Sequence, residues 1–540
     1  MAVLTWSFAP FVDCSNFTFL NVLHLVGLAS VLYAASLSIY RLVFHPLAGF
    51  PGPKLAASTY WYEFFYDCVH RGQYVFRIGE LHKKYGPIIR INPEEIHVAD
   101  VDFYNEIYTN KEKRDVWDWQ RKGFGSDVST IATANHDLHR KRRAAWNPVF
   151  SKQRIMRLQP VIQERVDALL RRIQECGEKG ETINLKHGFA AYAADVSSRY
   201  FFNVSQMKVE SPDFDPEFHN AIQDGFNNVL LLNQLPWLMD ILVFIAHYPP
   251  PWLLKRFFVS SKMSKFVTVL RILGDQAKAV IARPLAKEES SNHTVFDQIL
   301  CSPHLALQEK SLDRLKQDAQ MLIVASTLST SWSITVAAYE LLAHPRCLRL
   351  LKQELRTAFP QNAESMLDLA TLQQQPYLWA VIQESLRIGI AISHRSARIS
   401  PISPTLYTNP TTHNSYSIPP GTPMSMSHPL LFRDPTIFPE PTLFRPERWL
   451  ENDRALEKYQ FAFSKGTRGC PAINLAMVEM VLPVAHLFTR YGSRECRTEG
   501  DVGMLELWET NDRDIECAWD GGIAMAANGS VGVRVRVVKE

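Results

Sequence analysis

No lysine or arginine occurs before Arg41, and between Phe17 and Tyr40 no side chain carries a formal charge; the run is apolar apart from Asn21, His24 and small hydroxyls. A cleaved secretory signal opens on basic residues and has a shorter apolar centre, so both features argue against one. The run is long enough to cross a bilayer. Positive charge begins at Arg41 and continues at Lys54, which by the positive-inside rule places the N-terminus in the lumen and the rest of the chain in the cytosol. The sequence thus predicts a lumenal stretch over residues 1–16, with an Asn16-Phe17-Thr18 sequon at its end, and a transmembrane anchor over 17–43.

Other absences narrow the function. The eight cysteines include no Cys-x-x-Cys pair and have no histidine-rich companion, which excludes the usual zinc-site spacings. Scattered through a long chain, they read as reduced, mostly buried thiols rather than a secreted disulfide scaffold. A net charge of +3 over 540 residues is too mild for a nucleic-acid binder, which concentrates a far stronger basic excess on one face. No internal repeat or low-complexity tract is present, which removes solenoids and disordered arrays. With 46% apolar and 21% charged residues, the composition is that of a protein with a large core.

The stretch "HPLAGFPGPKLAA" holds three prolines and two glycines within nine residues, which precludes regular structure and predicts a stiff hinge over residues 44–56. No second linker of that strength follows, so residues 57–540 read as one domain. Two stretches have helical periodicity, "LQPVIQERVDALLRRIQECG" and "LDRLKQDAQMLIVASTLSTSWSITVAAYELLAHP". The second runs without Gly or Pro up to Pro345 and is apolar nearly all round at its centre, which predicts a buried helix crossing the domain. Proline is dense between Pro401 and Pro446, a region of loops and short strands, and the tail "SVGVRVRVVKE" alternates like an edge strand. The expected class is mainly α with small β-sheets. Residues 229–254, "VLLLNQLPWLMDILVFIAHYPPPWLL", are apolar enough to line a substrate entrance or dip into a membrane, and equally to pack as core.

The chemistry centres on "FSKGTRGCPAINLAMVE", residues 463–479. Lys465 and Arg468 precede Cys470, and a helical pattern begins just after it; nearby cations and a helix N-terminus both favour a thiolate. Gly466 and Gly469 let the backbone turn tightly and approach something flat or bulky, and Pro471 fits the first turn of the helix. Four roles stay open on these residues alone: buried filler, disulfide partner, nucleophile with a base delivered by the fold, or metal ligand. Elsewhere, Glu384 and Arg387 share a helix face and read as a solvated ion pair. "HRKRR", residues 139–143, reads as a solvated basic helix face.

Phe463, Gly466, Arg468 and Cys470 together resemble the haem-binding loop of the cytochrome P450 family. "ESLR" at Glu384–Arg387, "FRPERW" at Phe444–Trp449 and a long buried helix before both follow the family's order. The resemblance runs from the anchor to the tail and implies a P450 fold carrying haem b, with Cys470 as axial thiolate to the iron, Phe463 packed under the porphyrin and Arg468 on a propionate. It also implies that Glu384, Arg387 and Arg448 form a buried network holding the cysteine loop. His139 and Arg143 fall where the family has a propionate-binding Trp-x-x-x-Arg pair, and Arg398, rather than Arg395, is expected as a further propionate ligand.

Two departures stand out. The oxygen-site motif of the long helix, Ala/Gly-Gly-x-Asp/Glu-Thr, is matched by "ASTLS", residues 325–329, so Leu328 replaces the acid and Ser329 the threonine. Ser329, with Thr330 beside it, is the candidate catalytic hydroxyl; the bland alternative is that these hydroxyls bond back to their own helix. Ala472 stands where the family usually has glycine. Fine details such as "FRDPTIFPEPTLFRPERW" resemble filamentous-fungal members, the group that includes trichodiene oxygenase. The resemblance therefore implies a microsomal monooxygenase of the endoplasmic reticulum, with an NADPH-cytochrome P450 reductase as electron donor and a lipophilic small-molecule substrate of secondary metabolism, a terpenoid or similar scaffold. Two alternatives are a haem-thiolate enzyme that rearranges, couples or desaturates its substrate without oxygen insertion, prompted by Leu328, and a non-catalytic haem-binding pathway protein.

Overall fold

An exposed helix, α1 (Phe19–Ile39), opens the computed structural model, which describes residues 19–121, 125–238, 241, 262–285, 294–359 and 367–539. A π-turn over Tyr40–Phe44 extends it. The most apolar stretch of this 26-residue span has mean hydropathy 1.9, and none of that stretch is buried against the body. At 1.5 Å per residue the span rises about 39 Å, enough to cross a hydrocarbon core of about 30 Å. Among the described residues two other helices are also long and apolar enough to cross a membrane, Leu312–Ala343 and Ile473–Arg490, with mean hydropathies of 1.5 and 1.2 over their most apolar stretches, but 78% and 67% of those stretches is buried. Burial, not hydropathy, separates the candidate anchor from the core helices. Residues 1–18, with the Asn16 sequon, lie outside the described residues. Deleting residues 1–44 is expected to move the protein from the membrane to the soluble fraction, checked by fractionation in alkaline carbonate.

The proline-rich segment is docked on the body rather than free. Leu47 is buried, the Arg90 amide donates to Pro51 O at 2.7 Å, and a Cβ at Gly52 would meet Arg90 O at 2.4 Å. Arg90 in turn donates to Arg41 O at 2.8 Å, fixing the end of this apolar helix against the first sheet. A short helix already begins at Lys54, inside the expected hinge.

Seven body helices carry the argument: α2 (His136–Trp146), α3 (Gln159–Glu178), α4 (Leu185–Phe202), α5 (Leu312–Ala343), α6 (Pro345–Ala358), α7 (Pro376–Gly389) and α8 (Ile473–Arg490). The 32 residues of α5 cross the domain for about 48 Å. Its buried residues occur on every side in its C-terminal half, which is why the sequence there is apolar all round. Pro345 occupies the first turn of α6, where its missing N–H costs nothing, and so ends one helix and starts the next. α4 and α8 pack on α5, and one large cluster joins all three.

The strands form small sheets. One has the order Ile88–Arg90, Ile96–Val98, Pro423–Ser425, Arg398–Ile399, Asp115–Val116. The tail strand Arg534–Val538 is not an edge: it lies between Ile183–Asn184 and Gly503–Leu507 in a four-stranded sheet. Its alternation arises because Val535 points into the core while Arg534 and Arg536 do not. Of the apolar stretch 229–254, Val229, Leu230 and Leu232 are buried core side chains, and most of the remainder lies outside the described residues.

Candidate functional site

The loop around Cys470 is closed by its own backbone. The Cys470 amide donates to Phe463 O at 2.8 Å and Gly469 to Gly466 O at 3.0 Å, around a short 3-10 turn, Gly466–Arg468. Gly466 has φ +74°, and a Cβ there would come within 2.7 Å of the Tyr108 carbonyl. Glycine is required twice over at this position, for its left-handed backbone and for its close approach to another chain segment. Pro471 and Ala472 form the turn into α8, which starts at Ile473, and the Ala472 N–H points at the Cys470 sulfur.

Electrostatics at the thiol differ from the sequence expectation. Burial pushes the Cys470 thiol up; the Ala472 N–H and Arg143 oppose this. Lys465 and Arg468, its neighbours in sequence, are turned elsewhere. Lys465 donates to Lys458 O at 2.5 Å and lies over the Phe461 ring, while Arg468 donates to Thr133 O and to Ala134 O at 2.8 Å. The cation beside the sulfur is Arg143, from α2, which donates to Gly469 O at 3.1 Å. Sequence adjacency misleads here because a tight turn throws successive side chains in different directions.

A cationic group lies next to this loop. His139, Arg143, Arg398 and Arg468 come together: burial and then the charges of Arg468, Arg143 and Arg398 push the His139 imidazole down to about 2, so it is neutral at physiological pH. Burial and the neighbouring Arg398 bring Arg468 down to about 9, still protonated at neutral pH. Arg398 is buried over the Tyr108 ring, with its guanidinium bonded to Ser396 Oγ at 2.7 Å. Among the described residues no carboxylate forms an ion pair with Arg143, Arg398 or Arg468, and Arg468 Nε is buried without a partner. Arg395, by contrast, is committed to Glu63 and Glu95. The basic helix face is also not what its sequence suggests: in "HRKRR" only Arg140 and Lys141 are exposed, and Arg142 is paired with Glu309 at 2.6 Å.

The Glu384 pair is not a surface pair either. Both oxygens of Glu384 accept from Arg387 at 2.8 Å, and they also accept from Arg448 Nε at 3.0 Å, Trp449 Nε1 at 2.8 Å and the Arg445 amide at 3.0 Å. Arg387 and Arg448 spend their other donors on the carbonyls of Phe432, Pro439, Pro441 and Leu443. The network pins residues 432–449, the segment that feeds into the cysteine loop. Sequence spacing showed Glu384 and Arg387 facing each other; nothing in it signalled Trp449 as a partner.

On α5, Ala325 is exposed although it sits inside a buried helix, and Ser329, one turn on, is half-buried. This face is open while Leu328 is packed in the core. Ser329 Oγ donates to Ala325 O at 2.7 Å, and Ser326 Oγ donates to Leu322 O at 2.8 Å and accepts from Ser197 Oγ of α4 at 2.7 Å. The hydroxyls thus do bond back to their own helix. Thr330 is buried on the packed side. Two links that the sequence did not reveal hold this region: Trp332 Nε1 donates to Gly389 O at 2.6 Å, joining α5 to α7, and Tyr192 of α4 donates to Glu479 O of α8 at 3.2 Å.

Comparison with known proteins places this arrangement. The Cytochrome P450 family model matches residues 51–507. The cytochrome P450 monooxygenase tpcC of Cochliobolus heterostrophus is 42% identical over 514 residues, 95% of this chain and 96% of that protein. The cytochrome P450 monooxygenase astB of Talaromyces wortmannii is 40% identical over 537 residues, 98% and 100% of the two chains. Tryptophan 6-hydroxylase fscE of Fusarium equiseti is 36% identical over 517 residues, 95% and 96% of the two chains. With its cysteine loop, buried Glu384 network and long core helix in the family's order, the chain belongs to the cytochrome P450 family and is an oxidoreductase of the monooxygenase kind.

Proposed function

We propose that the chain binds haem b through the Cys470 thiolate and oxidises a lipophilic secondary metabolite, a terpenoid or similar scaffold, by hydroxylation, epoxidation or further oxidation. The observation that carries this reading is the cationic group beside the cysteine loop. Guanidinium groups drawn out of water without anions are costly; Arg398 is buried, Arg143 and Arg468 are half-buried, and all three lack carboxylate partners among the described residues. A flat dianion whose metal meets Cys470 fits: its propionates would neutralise Arg468 and Arg398, take up the orphaned Arg468 Nε, and accept from neutral His139. Arg398 is preferred to Arg395 because Glu63 and Glu95 already saturate the latter. Phe463, half-buried, is the proposed packing partner of the ring.

Thiolate-ligated haem supplies the oxygen-activating chemistry and favours O–O cleavage. The chain's own part is to deliver protons and exclude stray water. Ser329 spends its proton on Ala325 O but keeps lone pairs that accept from a water in the open face of α5. Leu328 offers no carboxylate there, so water must reach Ser329 through that face. Thr330, turned into the core, is not carried forward as a catalytic group. Exposed Arg140 and Lys141 are the proposed contact for an acidic NADPH-dependent reductase, with the anchor in the endoplasmic reticulum membrane and the catalytic domain on its cytosolic side.

The substrate side has a second reading. Relatives named tryptophan 6-hydroxylase and N-acetyltryptophan 6-hydroxylase, both 36% identical, extend the candidate range from terpenoids to aromatic amino-acid derivatives. Both readings are tested by mass spectrometry of metabolites from a strain expressing the protein under heavy O2. One heavy oxygen atom is expected in the new product, and Ser329→Ala is expected to lower product per NADPH by about tenfold or more. A new product without heavy oxygen would instead favour coupling, desaturation or rearrangement, the outcome that Leu328 prompts.

A further inference from the structure

A short loop joins the two ends of the site. Residues 128–134 lead into α2, and they invert the usual order of burial: Ser129, Thr130 and Thr133 are buried, while Val128 and Ile131 are exposed. The hydroxyls of Thr130 and Thr133 turn inward to charged partners. The Thr130 amide donates to Asp318 Oδ1 at 2.6 Å, and its hydroxyl donates to Asp318 Oδ2 at 3.1 Å. Arg314 Nη1 donates to the same hydroxyl at 2.9 Å and to Asp318 Oδ2 at 2.6 Å. Arg142 of α2 braces the middle of the loop, donating to Val128 O at 3.1 Å and to Thr133 Oγ1 at 2.6 Å. Asp318 is wholly buried, and a buried ion pair adds little net stability over apolar side chains of the same size. What both of its oxygens secure is the place of Thr130.

The far end of the same loop is held from the cysteine loop. Arg468 donates to Thr133 O and to Ala134 O at 2.8 Å. Ala134 O also accepts from the Val116 amide at 3.0 Å, and Val116 pairs in register with Arg398. Thr130 and Thr133 are at most about 10 Å apart along an extended chain, so little slack separates the two grips. At about 100° per residue, Asp318, Ala325 and Ser329 lie within about 40° of one another round α5, with Ala325 about 10 Å beyond Asp318. The loop therefore covers the N-terminal end of the face that is open at Ala325. It ties that face to Arg468 in the cationic group.

We propose that Asp318 and Thr130 are positioning residues of the haem-thiolate site: they hold residues 128–134 as a strut that sets the place of Arg468, and with it the propionate pocket, relative to the oxygen-site face of α5. Neither residue touches cofactor or substrate; both act through the loop backbone and Arg468. The proposal rests on the haem reading only in that Arg468 meets a propionate, since the strut itself consists of contacts within the chain. Without the strut, Arg468 loses a fixed pair of carbonyls to brace against, and the cofactor is held more loosely.

The test uses the full-length protein in detergent and four variants. Thr130→Val keeps the side-chain size and the amide bond but removes the hydroxyl between Asp318 and Arg314, and Thr130→Ser keeps that hydroxyl. Asp318→Asn removes the charge. Thr335→Val deletes a buried hydroxyl that donates to Ser331 O on the same helix, away from the loop, and so controls for general loosening. Haem-loaded samples are mixed with excess apomyoglobin at neutral pH, and haem transfer is followed by absorbance. Thr130→Val and Asp318→Asn are expected to release haem at least about tenfold faster, the ratio carried by one hydrogen bond to a charged group. Thr130→Ser and Thr335→Val are expected to stay close to the unsubstituted rate. Unchanged release in both strut variants, equal acceleration in Thr335→Val, or a serine variant as fast as the valine one overturns the proposal. Amide exchange read by mass spectrometry adds a signal that a purely local role would not move: peptides over residues 126–135 and 463–470 are both expected to exchange faster in Thr130→Val. Acceleration confined to 126–135 overturns the strut. A protein that takes up no haem would sink the haem reading, while exchange at 463–470, measured without haem, still decides the strut.

Discussion

Cys470→Ala is expected to abolish turnover completely and to remove the thiolate signature from the reduced carbon-monoxide difference spectrum, with the protein still folded. The fold should survive because the substitution deletes a single sulfur from a half-buried position and breaks one contact, from the Ala472 N–H. Losses of that size cost on the order of 1 kcal/mol, against a total of about 5–15 kcal/mol for a stable domain. The loop is closed by backbone bonds, Cys470 N to Phe463 O and Gly469 N to Gly466 O, which alanine keeps. A folded protein with no activity therefore reports ligation rather than unfolding. In the producing organism, the compound that accumulates in the variant is the substrate. Continued metabolism in the variant would eliminate the enzyme reading and leave the non-catalytic haem-binding alternative.

The sequence made the long helix legible because burial on all sides imposes apolar residues at every position, and no Gly or Pro intervenes before Pro345. It made the exposed apolar helix near the N-terminus, the candidate anchor, legible by absence of charge. It misread what depends on direction. Lys465 and Arg468 stand next to Cys470 in the chain, yet the cation at the sulfur is Arg143, over three hundred residues earlier, delivered by α2. The tail strand looked like an edge because alternation records only that one face is buried, and says nothing of which strands flank it. The preference for Arg398 over Arg395 came from the resemblance and from no spacing; the chain crossing that brings Glu63 and Glu95 to Arg395 is what leaves Arg398, of the two, without a carboxylate partner among the described residues. The buried ion pairs of Arg395 escaped notice for the same reason: Glu63, Glu95 and Arg395 come from segments scattered through the chain, and no spacing rule links them.

Glu384→Gln tests the other half of the site, the frame that holds the cysteine loop. The carboxylate accepts from two arginines, one indole and one amide, at 2.8–3.0 Å and out of contact with water. Glutamine removes the charge while turning a donor toward donors, and leaves Arg387 and Arg448 buried without an anion. Breaking a buried pair in this way costs about 3–5 kcal/mol, a large share of the stability of the whole domain. The nearby Arg445–Glu451 pair supplies an internal contrast: its side chains are 41% and 47% exposed, so Arg445→Ala should cost about 0–1 kcal/mol, the Arg445 amide bond to Glu384 being retained. Urea unfolding of the haem-loaded protein should show the midpoint falling sharply for Glu384→Gln and hardly at all for Arg445→Ala, with unchanged slopes. Because Arg387 and Arg448 clamp the carbonyls of Phe432, Pro439, Pro441 and Leu443 just ahead of the loop, the Glu384 variant should also lose the thiolate spectrum at urea concentrations where its helical signal persists. If the two signals instead fade together, the network supports the domain as a whole and does not specifically position Cys470.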